Sequence, residues 1–113
     1  KAADQGNADA QNNLGALYAN GLGVTQDYAE SLNWIRKAAD QGHAFAQFTL
    51  GLMYTEGRGV TQNFVQALMW SNLATAGGRK DAGEFRDRLA KLMTPAQITE
   101  AQRLAREWKP KGK

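Results

Sequence analysis

Two short glycine motifs, Gly21-x-Gly23 and Gly57-x-Gly59, are the first places where this chain could do chemistry. Such turns cradle phosphates when a strand leads in and a helix with free amides leads out. Here apolar residues at helical spacing precede each motif, no Lys-Ser or Lys-Thr pair follows, and Asp27 would repel an anion. Both motifs read as turns. His43, the single histidine, stands near a helix start, where capping or solvation accounts for it, and no carboxylate cluster at ligand spacing accompanies it. Asp81, Glu84 and Asp87 alternate with Arg79, Lys80, Arg86 and Arg88, the pattern of a salt-bridged helix surface rather than of paired catalytic acids. The chain has no cysteine, which removes disulfides, thiolate nucleophiles and sulfur-ligated metals together. No Ser/His pairing offers a nucleophile. The residues therefore imply no catalytic group, no metal site and no cofactor, and the chain does not read as an enzyme.

The elements that hold these residues are repeated. Residues 1–6 read KAADQG and residues 37–42 read KAADQG again; laid ungapped over 37–72, residues 1–36 give 19 identical pairs. A fixed period of this length marks a helical repeat array, in which each unit buries its apolar face only against its neighbours. Helix A of the first unit is expected over about 7–20, with Ala10, Leu14, Leu17 and Tyr18 at helical spacing. Helix B begins near Asp27 and carries Tyr28, Leu32, Trp34, Ile35 and Ala38. Asp27 with Glu30, and Asn63 with Gln66, stand at capping-box spacing. The second unit places helix A at about 43–56 and helix B at about 63–76. Gly15 and Gly51 fall inside helix A, where glycine costs roughly 1 kcal/mol against alanine, so a close helix contact is expected at both. Trp34 with Trp70, and Tyr18 with Tyr54, recur at equivalent positions and are expected in equivalent core surroundings.

After Gly77-Gly78 the period breaks. Residues 80–93 set Phe85, Leu89 and Leu92 on one face; Thr94, Pro95 and Gln97 then open a last helix with Ile98, Ala101, Leu104, Ala105 and Trp108 facing inward. This pair reads as a cap for an open-ended solenoid, followed by a basic tail, 109–113, expected to fray. The chain is thus read as one repeat domain: 1–6 as the end of a preceding helix, 7–42 and 43–78 as repeats, and 79–108 as the capping pair.

Charge is uneven along the chain. Residues 1–72 hold four basic and six acidic side chains, whereas residues 73–113 hold ten and five. No run of 18 apolar residues is present, so no transmembrane segment is expected. The chain begins without Met at a point equivalent to Lys37, which reads as a cut from a longer array. Ala2, Ala3 and the open face of the first A helix are then expected to self-associate or fray.

The string Ala10-Gln11, Leu14-Gly15, Tyr18, Gly21, Gly23-Val24, Asp27 and Trp34 recurs at Ala46-Gln47, Leu50-Gly51, Tyr54, Gly57, Gly59-Val60, Asn63 and Trp70. It resembles the Sel-1-like repeat (SLR) family, relatives of tetratricopeptide repeats with a longer glycine-rich linker. The resemblance implies an all-α fold, an α/α right-handed superhelix of antiparallel helix pairs with A helices lining its concave side. It also implies work as a non-catalytic adaptor or scaffold for a protein or peptide partner. Some secreted bacterial members with cysteine-stapled repeats are tied to β-lactam binding, a branch this cysteine-free chain does not resemble; the compartment stays open, with a lean to a bacterial secreted or periplasmic protein.

Positions where the copies disagree carry the partner expectation. Asp9, Asn12 and Ala16 become Phe45, Phe48 and Leu52, three bulky apolar groups at i, i+3 and i+7. They serve either as the floor of a groove for a partner segment or as packing for the following helix or cap. Asn13, Asn20, Thr49 and Glu56 also vary and would supply polar neighbours. Two other readings stand beside this one. The basic C-terminal third could meet nucleic acid or a membrane surface electrostatically, although its arginines lie beside glutamates and no aromatic interleaves them, so no specific nucleic-acid site is expected. A secreted small-molecule-binding or hydrolytic member of the family is the other.

Overall fold

The computed structural model describes residues 6–111, and its regular elements are six α-helices. They are α1 (Ala8–Asn20), α2 (Tyr28–Asp40), α3 (Ala44–Glu56), α4 (Phe64–Ala76), α5 (Lys80–Ala90) and α6 (Pro95–Glu107). Five of the six starts follow from a side-chain cap, α5 being the exception. Asn7, Asp27, His43, Asn63 and Thr94 all accept backbone N–H bonds from the first turn of the helix they open. Of the three expected capping boxes only Thr94/Gln97 closes in both directions. Asp27 instead takes the amides of Ala29 and Glu30, and Asn63 takes that of Gln66, each through a single side-chain oxygen. One carboxylate or amide oxygen already satisfies the exposed donors there, so the return bond adds little.

α1 packs on α2 and α3 on α4, and α2 on α3 joins the two hairpins. The result is elongated, 42 × 26 × 22 Å. The expected close contacts are present. An added Cβ at Gly15 would lie 2.7 Å from Ile35, and one at Gly51 would lie 2.9 Å from Ser71 Oγ and 3.1 Å from the Ala67 carbonyl. Hydrogen would be the only substituent small enough for both. The buried apolar core then runs through Ile35, Leu50, Leu68, Trp70, Leu89 and Ala101, drawing on α2 to α6. Among the described residues α1 buries Gln11, Asn12 and Gly15 instead, so the first helix is the least firmly held by the hydrophobic effect. Ala2 and Ala3 lie outside the described residues.

The cap departs from the hairpin pattern. α5 and α6 each pack on α4 but scarcely on one another. Beyond α6, Trp108 meets Trp70 edge-on with ring centroids 6.0 Å apart, and a Cβ added at Gly42 would lie 4.0 Å from its ring. Lys111 N–H then donates to the Asp40 carbonyl at 2.7 Å. The tail to Lys111 is therefore docked on the end of α2 rather than frayed; Gly112 and Lys113 lie outside the described residues. This return explains why the paired tryptophans differ. Trp70 is buried at 3% exposure beneath Trp108, whereas Trp34 is half-buried with Lys37 Nζ 4.4 Å above its ring. Tyr54 is buried and Tyr18 only partly, again because α1 has no described helix on its outer side. Leu92 is also unlike its expectation: α5 ends at Ala90, so the helical spacing lapses, Leu92 turns outward and Met93 takes the inward place.

Gly23 and Gly59 separate conformation from contact. Both hold positive φ, 76° and 71°, but a Cβ at Gly23 meets nothing within 4 Å while one at Gly59 collides with the Tyr28 carbonyl of the preceding hairpin. Gly23→Ala should cost roughly 1 kcal/mol, the left-handed penalty alone. Gly59→Ala should cost about 2–4 kcal/mol, since the linker must also lift off α2. Urea midpoints of the two variants check this, and equal losses would contradict the inter-repeat contact.

Candidate functional site

α3 lies between α1 and α5, so its exposed face decides what the A-helix side can hold. At about 100° per residue, Phe45, Leu52 and Glu56 run along the middle of this face, with Phe48 to one side and Thr49 to the other. The structure gives the three bulky residues different tasks. Phe48 is half-buried and meets Phe85 of α5 edge-on, centroids 5.9 Å apart at 69°. It is packing for the cap, one of the two roles open to it. Phe45 is 44% exposed and lies under the Arg79 guanidinium, 4.6 Å from its centroid. Leu52 is half-buried and opens into a cavity.

That cavity holds about 160 Å³ and is lined by Ala19, Tyr28, Ser31, Thr49, Leu52, Met53, Glu56 and Arg58. It sits where α1, the start of α2 and α3 meet. Leu52, Thr49 and Glu56 are thus brought together, while Asn13 and Asn20 are exposed on α1 and do not line it. Its floor is Met53, buried, and Ser31, 1% exposed. Its rim is charged: Arg58 Nε stands 3.2 Å from Glu56 Oε1, and its guanidinium lies 5.3 Å from the Tyr28 ring centroid. The periodicity hid Tyr28 and Ser31, because they sit on a helix B. Arg58 was open to the same reasoning as Leu52, since it replaces Leu22 of the first copy. Chemically, the cavity offers a largely apolar slot with hydroxyls of Tyr28, Ser31 and Thr49 in its lining and a donor and an acceptor, Arg58 and Glu56, at its mouth.

The remaining candidates are structural. His43 Nδ1 accepts from Ala46 N–H at 3.1 Å while Nε2 faces Asp9 Oδ1 at 2.7 Å, so this histidine caps α3 and ties it to α1. Arg79 pairs with Asp81 and Arg86 with Asp87, as the charge alternation implied. The hydrogen bond from Arg79 holds the exposed Asp81 carboxyl below its ordinary range. Arg103 grips both Glu100 and Glu107, at 2.6 and 2.9 Å, which raises its own pKa and lowers that of Glu100. No helix is long and apolar enough to cross a membrane among the described residues.

A stacked array of capped, glycine-linked hairpins with a shallow slot on its A side defines a repeat scaffold. The Sel1 repeat profile matches residues 8–43 and 44–78, and the chain belongs to that family. Over 95% of its length it resembles c5321, a protective antigen present in uropathogenic Escherichia coli strains displaying an SLR fold, with 36% identity and a TM-score of 0.91. A Sel1 repeat protein from Oxalobacter formigenes is 38% identical over 77% of the chain, with a TM-score of 0.76. The chain spans 23% of the first of these proteins and 65% of the second. No curated protein matches it in sequence. The profile match ends at residue 78, with the last repeat that carries the Gly-x-Gly-Val linker, which agrees with a cap of different build.

One buried polar group on the same layer stands out. Asn12, at the position equivalent to Phe48, is 6% exposed and its Oδ1 has no hydrogen-bond partner among the described residues. An unsatisfied buried acceptor costs about 1–3 kcal/mol. Asn12→Leu, of similar volume, should therefore stabilise the domain by about 1 kcal/mol in urea unfolding. A loss of stability would show that the amide is held by a bond of its own.

Proposed function

We propose that this domain is a non-catalytic interaction module that holds a protein segment on its A-helix face, with Leu52 marking the anchor point. The observation that supports the reading is the 160 Å³ slot between hairpins, rimmed by Thr49, Glu56 and Arg58. A cavity of about 150 Å³ takes one benzene-sized group, so the slot suits a single aromatic or branched side chain of a partner. Phe45, half-exposed nearby on the same face, extends the apolar surface along the segment. The Glu56–Arg58 pair at the mouth can turn outward to meet peptide polar groups at little cost, since exposed pairs contribute only about 0–1 kcal/mol. Phe48 belongs to the cap contact in this reading, and Asn13 and Asn20 form the outer border toward α1.

The electrostatic reading of the C-terminal third is weaker. Arg79 and Arg103 are already paired with carboxylates, and Trp108, the aromatic that could stack a base, is docked on Trp70. A hydrolytic role would need a nucleophile beside an activating base, and neither histidine nor cysteine lines the slot.

The test is affinity capture with mass spectrometry, followed by titration of the captured partner. Leu52→Lys should weaken that partner at least about tenfold while circular dichroism and the melting curve stay close to the parent. Undiminished binding by Leu52→Lys would remove the slot from the account.

A further inference from the structure

The splayed cap leaves a second opening, independent of the Leu52 slot. Because α5 and α6 lean on α4 and not on each other, a cleft runs between them with α4 as its floor. One end, about 400 Å³, is lined by Asn72, Thr75, Ala76, Arg86, Gln102, Ala105 and Arg106. The other, about 280 Å³, shares Asn72, Arg86 and Gln102 and adds Leu68, Asp87, Ala90 and Ile98. The larger end falls in the range of ligand sites, and the smaller lies just below it.

The charges lining this cleft do not cancel. Arg86 Nε is met by Asp87 Oδ1 at 3.1 Å, a neighbour that lines only the smaller end. A Cβ at Gly83 would lie 3.4 Å from Thr75 Cγ2 and 3.9 Å from Arg86 Nη2, so Thr75 and Arg86 border one corner that the missing side chain keeps open. Arg106 forms no ion pair among the described residues, whereas its neighbour Arg103 takes both nearby glutamates. Two guanidiniums against one carboxylate leave a net charge of +1 in the cleft. A guanidinium fork matches the two oxygens of a carboxylate in one plane. A dianionic phosphate would overshoot the balance and face Asp87. Between the arginines, Asn72 and Gln102 each present an amide donor and an amide acceptor, the complement of a peptide unit.

We infer that the α4–α5–α6 cleft is a binding site for the carboxylate of an acidic peptide segment, with Arg86 and Arg106 gripping the carboxylate and Asn72 and Gln102 bonding the adjacent backbone. The carboxylate sits at the larger end, between the two guanidiniums and away from Asp87. Nucleic acid fits the cleft poorly, because no aromatic side chain lines it to stack a base.

The experiment titrates the intact domain with an uncharged-terminus peptide containing one glutamate among glycines, and with its glutamine twin, following side-chain and backbone resonances by NMR. The glutamate peptide should shift Arg86, Arg106, Asn72 and Gln102, and the glutamine twin should not. Arg106→Gln and Gln102→Glu both change exposed residues of α6, and each should weaken the glutamate peptide roughly tenfold or more without altering the melting curve. Acetate should bind the same residues more weakly, since it lacks the backbone. Acetate binding as tight as the peptide would overturn the peptide assignment. Tighter binding of inorganic phosphate or of an oligonucleotide, or shifts confined to the Leu52 slot, would overturn the site itself.

Discussion

Everything in this fold depends on how closely an A helix can approach its B helix. At Gly51 the backbones of α3 and α4 come near enough that a single added carbon would stand 3.1 Å from the Ala67 carbonyl. Gly15 sets the same relation between α1 and α2. The approach lets Ala38, Ala39, Ala46, Ala67 and Ala74 disappear from solvent with no large side chain to wedge the helices apart. It also fixes the tilt at which the next hairpin arrives. The linker then crosses α2 at Tyr28, where Gly59 again has no room for a side chain. Stacking in this chain is, in physical terms, a series of contacts that only the smallest residues permit.

The binding surfaces follow from where that regular stacking stops. Between two hairpins the register is tight along the B side but leaves a slot on the A side, walled by Leu52 and Met53. After Gly77-Gly78 the period ends, and α5 and α6 are free to straddle α4 instead of pairing. The straddle closes the core, because Leu89, Met93 and Ala101 all enter it from the cap. It also separates the two helices and lines the gap with arginine. A cap that protected the last repeat by simple pairing would have offered no such gap. The same geometry returns Trp108 to Trp70 and Lys111 to the end of α2, tying the tail across the junction of the two repeats.

The local features were legible in the sequence because they depend on neighbours in the chain. The repeat period, the helix spans, the caps at Asn63 and Thr94, and the glycine contacts all come from positions within about one turn or one period of each other. What depends on distant segments was not legible. Trp34 and Trp70 look identical to any periodic reading, yet one lies under Trp108 and the other under a lysine. Phe45, Phe48 and Leu52 share one helical face, but their surroundings are set by α5 on one side and α1 on the other, which repetition alone does not tell apart. Arg86 and Arg106 are 20 positions apart on helices of different register, and nothing in their spacing announces a shared cleft.

The most direct test of the central claim uses the sign of one substitution. Helix propensity by itself holds that Gly51→Ala stabilises α3 by roughly 1 kcal/mol. Close approach holds the opposite, because the methyl group must displace Ser71 or part the backbones, and Ser71 is fully buried with its hydroxyl donated to the Ala67 carbonyl at 2.8 Å. Equilibrium urea unfolding of Gly51→Ala against the parent decides between them. The account requires a destabilisation of about 1–3 kcal/mol, the usual range for overpacking. A variant that unfolds at higher urea than the parent would show that the two helices are not held in this contact.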